Sequence, residues 1–474
     1  MSWIPGKTIR RAIEETWETI NPGSDGPSPA VFLARLGDLS RSNSFLWVEA
    51  GLKVHERRSR TTQRGQVLSR TLVLGTVAAD IFAGYTTLRE RARWWPGLVR
   101  ARDWNLQHQR GANHLLDTAS SLGGALIKAC QFASTRPDLL PPVYIRTLSR
   151  LQDRMPPHPW PEIEAAITRE LGRSPSEVFA RIDQEPIAAA SIAQVHRAQL
   201  RDGREVAIKV QYPEIAGLID ADLTVLQRVS SAIRRVAPKI QLQPIVDYLK
   251  GTLPMELDFN HEVRCMIDLR AALAHRSDVL IPEVFKEWCS RGLIVMEYVE
   301  GIKITNREEL VQAGISPSEV AKLLNDLYAE QMLRLNILHG DPHPGNLLVQ
   351  PGPRLVLLDH GLTVPLKQSL VQALSKLVQG IVNGDIDAIS AALAEAGLKF
   401  SKQVDVGTLL QLVGVLLGEE STANALEVGT NLSVSIGSIP LDLLLVGRAL
   451  GLLDGITRQL DPDLEAMELV ARYI

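Results

Sequence analysis

"LHGDPHPGNLLV" fills residues 338 to 349, and "RLVLLDHGLT" fills residues 354 to 363. Between His339 and Asn346 the chain crowds two histidines, an aspartate and an asparagine among prolines and glycines. Asp341 stands five positions before Asn346, and Asp359 follows thirteen positions later in "DHG". The runs on either side are apolar and strand-like. His339 and His343 are four apart, but Pro342 and Pro344 break the helix that would align them as a zinc pair. An acid, an amide and a second acid at this range suit another chemistry.

That chemistry is phosphoryl transfer. It needs metal ions on the phosphates, a lysine on the phosphate oxygens and a carboxylate near the acceptor hydroxyl. Protein kinases provide a loop acid, an asparagine five positions on, then a strand and Asp-x-Gly. The remaining parts lie upstream. "VAIK" closes an apolar run at Lys209, "ELDFNHE" places Glu256, Asp258 and Glu262 at the start of a helical stretch, and "MEYV" at 296 to 299 is similar to a hinge that grips adenine through its backbone. Each piece alone is common. A VAIK lysine in an ordinary strand snorkels, and Asp-x-Gly is usually a turn. Their order and spacing together carry the reading.

The rest of the chain sets the frame. Its 474 residues include 45% apolar and 22% charged side chains, enough for a folded core. A net charge of −3 gives no general attraction to nucleic acid. Cys130, Cys265 and Cys289 form no CxxC pair, which fits a reducing compartment. The opening "MSWIPGKTIRRAIEETWETI" does not read as a signal peptide. The run at 71 to 85 is about 15 residues and holds Asp80, short of the ~20 needed to span a bilayer. The expectation is no transmembrane helix and a cytoplasmic or stroma-like location. Residues 9 to 20 place Ile9, Ile13, Trp17 and Ile20 on one face beside Lys7, Arg10 and Arg11, a pattern that suits peripheral contact with a membrane or packing on the core.

The expected order is an amphipathic helix and linker over 1–29, a helical extension over 30–185, an N-lobe over 186–300 and a C-lobe over 301–474. In the N-lobe, "PIAAASIAQVHRAQL" and "REVAIKVQYP" alternate as two strands across an Asp-Gly turn. By the order of its elements the fold class is α+β; the resemblance given next implies a bilobal kinase-like fold, its active site covered by the helical extension and its C-lobe mostly helical.

The motifs together resemble the UbiB/ADCK (aarF-domain) family of atypical kinases, over roughly residues 66 to 474. The family's blocks read here as "HGDPHPGNLLV", "LLDHG", an Ala-rich nucleotide loop "AAASIAQVH" and a Glu-x-Asp motif "ELD". Its Lys-x-Gly-Gln signature reads "KACQ" at 128 to 131, followed by "STRPDLLP" and "LQDRMPP". Cys130 stands where the family has glycine, and Val263 where it tends to have alanine.

The resemblance implies ATP or ADP with Mg2+ as cofactors, Lys209 on the α- and β-phosphates paired with Glu262, and Asp341 as catalytic acid. Asn346 and Asp359 would hold the metal. Ala188, Ala189, Ala190 and Ser191 would cover the phosphates, with Glu297 and Val299 at the hinge. Lys128 and Gln131 would gate the site by meeting Glu256 and Asp258. The implied partners are a nucleotide, a lipid or prenyl-quinone precursor, quinone-biosynthesis proteins and a membrane surface, with no nucleic acid. After "DHGLTVPL" the chain runs straight into "KQSLVQALSKLVQGIV", without the long segment on which protein kinases dock peptides. Two other readings stay open: a Ser/Thr protein kinase, and a pseudokinase scaffold that binds nucleotide without turnover.

Overall fold

The computed structural model describes residues 63–134, 140–151, 157–236, 242–400 and 436–473, less short breaks at 95–96, 98, 214, 439 and 466–468. The segment at 9–20, the linker at 21–29 and parts of the "STRPDLLP" and "LQDRMPP" runs lie outside these residues. The principal helices are α1 (Gln63–Trp94), α2 (Ala101–Leu122), α3 (Ala125–Ser134), α4 (Pro142–Leu148), α5 (Trp160–Leu171), α6 (Ile215–Val236), α7 (Gln243–Glu256), α8 (Phe259–Ala272), α9 (Pro317–Leu333), α10 (Gln368–Asn383), α11 (Ile386–Glu395) and α12 (Leu441–Leu460). The chain divides into two compact units, residues 1–154 with 214–251 and residues 155–213 with 252–474.

In the first unit the described residues are helical. Ala112 and Ala119 on α2 and Ala125 on α3 are fully buried, small side chains that let backbones approach closely. Phe132 of α3 stacks on Tyr248 of α7, with 3.6 Å between ring centroids. Gly123 and Gly124 turn the chain from α2 into α3, both with positive φ, a conformation that costs glycine little. Beside this turn, Arg70 of α1 and Asp222 of α6 form a fully buried ion pair.

The apolar helix of this unit is longer than the run the sequence reading marked. The stretch Arg70–Trp94 within α1 is 25 residues long, and by length and composition it is apolar enough to cross a membrane. The sequence reading stopped at Asp80 and at position 85. The helix runs on through Asp80, whose side chain is partnered by Arg110, at 3.1 Å, and His114, at 2.9 Å, both on α2. Little of the apolar stretch is buried.

Among the described residues the second unit holds two larger sheets and two two-stranded ones. The first contains β1 (Phe179–Ile182), β2 (Ala188–Ala189), β3 (Ala193–Leu200), β4 (Glu205–Gln211) and β6 (Leu293–Glu297), in the order β1-β3-β4-β6 with β2 on β3. Arg201, Asp202 and Gly203 make the β3–β4 turn. Gly203 has φ 91°, and Asp202 accepts from the backbone N–H of Arg204. Val206, Ile208 and Val210 of β4 are fully buried, as are Leu293, Ile294 and Val295 of β6. The other larger sheet runs β5 (Val279–Leu280), β10 (Arg354–Leu357), β9 (Leu347–Gln350), β7 (Ile302–Lys303). The short strands β8 (Ile337–His339) and β11 (Thr363–Pro365) pair antiparallel beside it.

Helix α9 is the axis of the lower part. Ser316 caps it by accepting from Glu319, and Pro317 sits at its first position, where a missing N–H costs nothing. Val320, Ala321, Leu324, Leu327 and Tyr328 are fully buried. The spacing of three and four residues is that of one helical face. Helix α12 docks on this axis, and Asn325 donates to Thr457 across the contact at 2.7 Å.

Candidate active site

Glu262 is an acid placed where a helix wants an apolar residue. Helix α8 starts at a cap in which the Asp258 side chain accepts from Asn260. Its buried face then reads Phe259, Glu262, Val263, Met266, Leu269. Burying a carboxylate alone would be expensive. Lys209, projecting from β4, meets it at 2.7 and 2.9 Å, and the same ammonium reaches Asp359 at 3.1 Å. Burial alone would depress the Lys209 pKa, but the charges of Asp359 and Glu262 outweigh it and the net shift is upward. Burial pushes the Glu262 carboxyl up to about 7 against the pull of Lys209. The lysine is thus held as a cation between two acids.

The two loops meet through backbone. Leu358 N–H donates to the Asn346 carbonyl at 3.0 Å, which sets Asn346 beside the residue preceding Asp359. The Asn346 amide nitrogen donates to the Asp341 carbonyl, leaving its amide oxygen for a cation. Asp359 is partly exposed, and its Oδ1 accepts from Gly361 N–H. An amide oxygen and a half-open carboxylate are the hard donors magnesium takes alongside phosphate oxygens. These two residues fit that ion. Gly340 permits the loop's close passage, since a Cβ there would lie 2.6 Å from the Leu362 carbonyl oxygen.

The histidines serve as bolts. His339 is buried, accepting at Nδ1 from the Tyr328 hydroxyl at 2.7 Å and donating through Nε2 to the Asp359 carbonyl. His360 is fully buried, donates to the Leu357 carbonyl, and is pushed down to about 3 by burial. It is therefore a neutral spacer. His343 turns its Nδ1 to Gly345 N–H. Among the described residues no cluster of three His, Cys, Asp or Glu could hold a metal by itself.

The Ala-rich loop is a tight reverse turn. Ala188 and Ala189 pair with β3, and Ala190 N–H donates to the Ala193 carbonyl. Ala188, Ala189, Ala190 and Ser191 keep negative φ, so this loop uses none of the freedom a Gly-rich loop would have. Tyr212, which sequence reasoning missed, donates its hydroxyl to the Ala190 carbonyl at 3.0 Å and stacks on His158. Burial raises the phenol to about 12, so it remains a donor. Tyr212→Phe should lower nucleotide affinity about 2- to 10-fold, the worth of one hydrogen bond. Calorimetric titration checks this, and unchanged affinity would mean that strand pairing alone holds the loop.

The other expected residues fall as follows. Glu297 ends β6, with its N–H and carboxylate both engaged by the Glu283 backbone. Its carbonyl is thus what it could offer a base. Val299 lies two residues further on. Lys128 and Gln131 are on α3, where Gln131 donates to the Leu151 carbonyl. Glu256 ends α7, and Asp258 caps α8. Cys130 is buried, which pushes its thiol up to about 12. Arg448, also missed, reaches Asp341 from α12 at 2.8 Å.

A strand lysine paired to a helix glutamate, above an acid–amide loop and an Asp-x-Gly, on this α+β frame is the arrangement of protein kinase-like folds. Residues 150–393 match the ABC1 atypical kinase-like domain family. The chain is 32% identical over 379 residues to AarF domain-containing protein kinase 1 of Xenopus tropicalis, covering 74% of this chain and 71% of that protein. It is 30% identical to the chloroplastic Activity of bc1 complex kinase 8 of Arabidopsis thaliana, covering 86% of this chain and 59% of that one. The solved structure of Rv3197 from Mycobacterium tuberculosis, in complex with erythromycin, aligns with a TM-score of 0.52 at 24% identity, over 74% of this chain and 93% of that one. The chain belongs to the ABC1/AarF (UbiB/ADCK) family of atypical kinase-like proteins, a kinase-like class that implies nucleotide binding.

Proposed function

We propose that the chain binds Mg-ATP and transfers or hydrolyses its terminal phosphoryl group, acting on a small or lipid-linked acceptor or in step with a protein partner. The carrying observation is the triad of Lys209, Glu262 and Asp359, with Lys209 within 3.1 Å of both acids. In this reading Lys209 holds the α- and β-phosphates, Asn346 and Asp359 hold Mg2+, and Asp341 orients the acceptor hydroxyl. When bound, the metal neutralises charge on the phosphate oxygens.

The short join after the metal loop argues against a protein acceptor. β11 ends at Pro365 and α10 begins at Gln368, so the chain has no length there for a peptide-docking segment. The resemblance to the UbiB/ADCK family further suggests a role in isoprenoid-quinone or related lipid metabolism at a membrane surface. The apolar stretch of α1, largely half-buried and ending in the exposed Trp94, is compatible with membrane contact.

The test is ATP turnover by the purified protein, with and without anionic vesicles and phenolic quinone-precursor mimics, against Asp359→Asn. Turnover that rises with vesicles and vanishes in the variant supports the reading. Brisk phosphorylation of a generic protein substrate would replace it with the protein-kinase alternative. Flotation adds a separate check: the protein should rise with anionic vesicles, and equal recovery from neutral ones would remove electrostatics from the membrane contact.

A further inference from the structure

The catalytic loop from His339 to Asn346 contains no lysine or arginine, yet phosphoryl transfer spreads negative charge over the oxygens next to the loop acid. Three carboxylates, Asp341, Asp359 and Glu262, surround that chemistry. Lys209 is committed to two of them, Glu262 and Asp359. The third, Asp341, is met by a cation from 107 residues away. The Nη2 of Arg448 donates to its Oδ1 at 2.8 Å.

Arg448 is delivered by a rigid element. Val446 and Ala449 on either side of it are buried, as are Leu445 and Leu453, and the Asn325–Thr457 hydrogen bond pins the same helix to α9. The Arg448 and Asp341 side chains are 25% and 21% exposed. A partly solvated ion pair of this kind contributes little to stability. Its place beside the acid is better explained by chemistry than by folding. A guanidinium is also the side chain whose planar fork suits carboxylate and phosphate oxygens alike.

We infer that Arg448 is a further catalytic residue, an arginine supplied in cis by the C-terminal helix to stabilise the transferring phosphoryl group while it orients Asp341. This rests on the Mg-ATP reading above. In the step, the acceptor oxygen of an alcohol or of water forms a bond to the γ-phosphorus. The bond from that phosphorus to the β,γ-bridging oxygen breaks, ADP departs with the electron pair, and the acceptor proton passes to Asp341. Arg448 neutralises charge on the equatorial oxygens throughout and exchanges no proton.

The experiment compares wild type, Arg448→Gln and Arg448→Lys in two measurements. The first is ATP turnover. Arg448→Gln should lower kcat about 100-fold or more, as loss of one charge-stabilising donor does, while the KM for Mg-ATP changes less than about 3-fold and the thermal midpoint holds. Arg448→Lys should recover part of the loss, since it keeps the charge without the fork. The second is binding of Mg-ADP with and without aluminium fluoride, which mimics the phosphoryl group in flight. Wild type should bind Mg-ADP more tightly with the fluoride present, and Arg448→Gln should lose that gain while binding Mg-ADP alone as before. Arg448→Gln that turns over at or above the wild-type rate, or that keeps the aluminium fluoride gain, overturns the role of Arg448 and leaves the Mg-ATP reading standing. A wild-type protein that binds neither Mg-ADP nor Mg-ATP overturns both.

Discussion

In the Mg-ATP reading, Asp359→Asn should abolish the magnesium-dependent part of nucleotide binding and leave the fold intact. The substitution is nearly isosteric. Oδ1 of the new amide can still accept from Gly361 N–H, the bond that shapes the turn in the native protein. Lys209 keeps both contacts to Glu262, so no buried charge is stranded. What disappears is the partly exposed formal charge that would sit on a cation facing the triphosphate in that reading. A bound ligand at 100 times its dissociation constant stabilises a protein by about 2.7 kcal/mol. In wild type, Mg-ATP should give a thermal shift of that order, and chelating the metal should remove most of it. In the variant the shift should be small and indifferent to chelator. Equal Mg-ATP shifts in the two proteins would move the metal site away from Asp359.

The catalytic loops were legible because their information is local. Asp341, Asn346 and Asp359 follow one another within twenty residues, and the runs between them are openly apolar and strand-like. The β3–β4 hairpin was legible through its Asp-Gly turn, and Glu262 through its place in "ELDFNHE" at the start of a helical stretch, its pairing with Lys209 being what the family resemblance implied. Tyr212 was not, since nothing in "VQYP" says that its hydroxyl returns to the Ala-rich loop. Arg448 was not either. On a helix it is one charge in an apolar stretch, and only the packing of α12 on α9 brings it to Asp341.

The full extent of α1 was not legible for a related reason. Hydropathy counts charges as interruptions, but a charge with a partner interrupts nothing. Asp80 was taken as the break in the apolar run. In the structure it faces Arg110 and His114 from α2, and the helix runs on to Trp94. Arg70, at the edge of that run, gave no sign that its partner lay 152 residues away.

That partner supplies the largest stability effect. Asp222→Ala should cost about 3–5 kcal/mol, the usual consequence of leaving one buried charge unpaired. Asp222 accepts from Arg70 through both oxygens, at 2.6 Å for Nη2, and Oδ2 also accepts from the first backbone N–H of α3, at Ala125. Arg70 in turn donates to the carbonyls of Leu122 and Gly123, which close α2. The pair thus satisfies one helix end and one helix start around a turn with no room for a side chain, since a Cβ on Gly124 would lie 2.8 Å from Asp222 Oδ2. Deleting the acid strands the guanidinium and orphans the Ala125 N–H together. Chemical denaturation measures the loss for Asp222→Ala, Arg70→Met and the double variant. The double should be less destabilised than the sum of the singles, because it removes the stranded charge along with its partner. A loss below about 1 kcal/mol for Asp222→Ala, within the range of an exposed pair, would mean that water reaches Arg70 and that the pair is not the bolt between α2, α3 and α6.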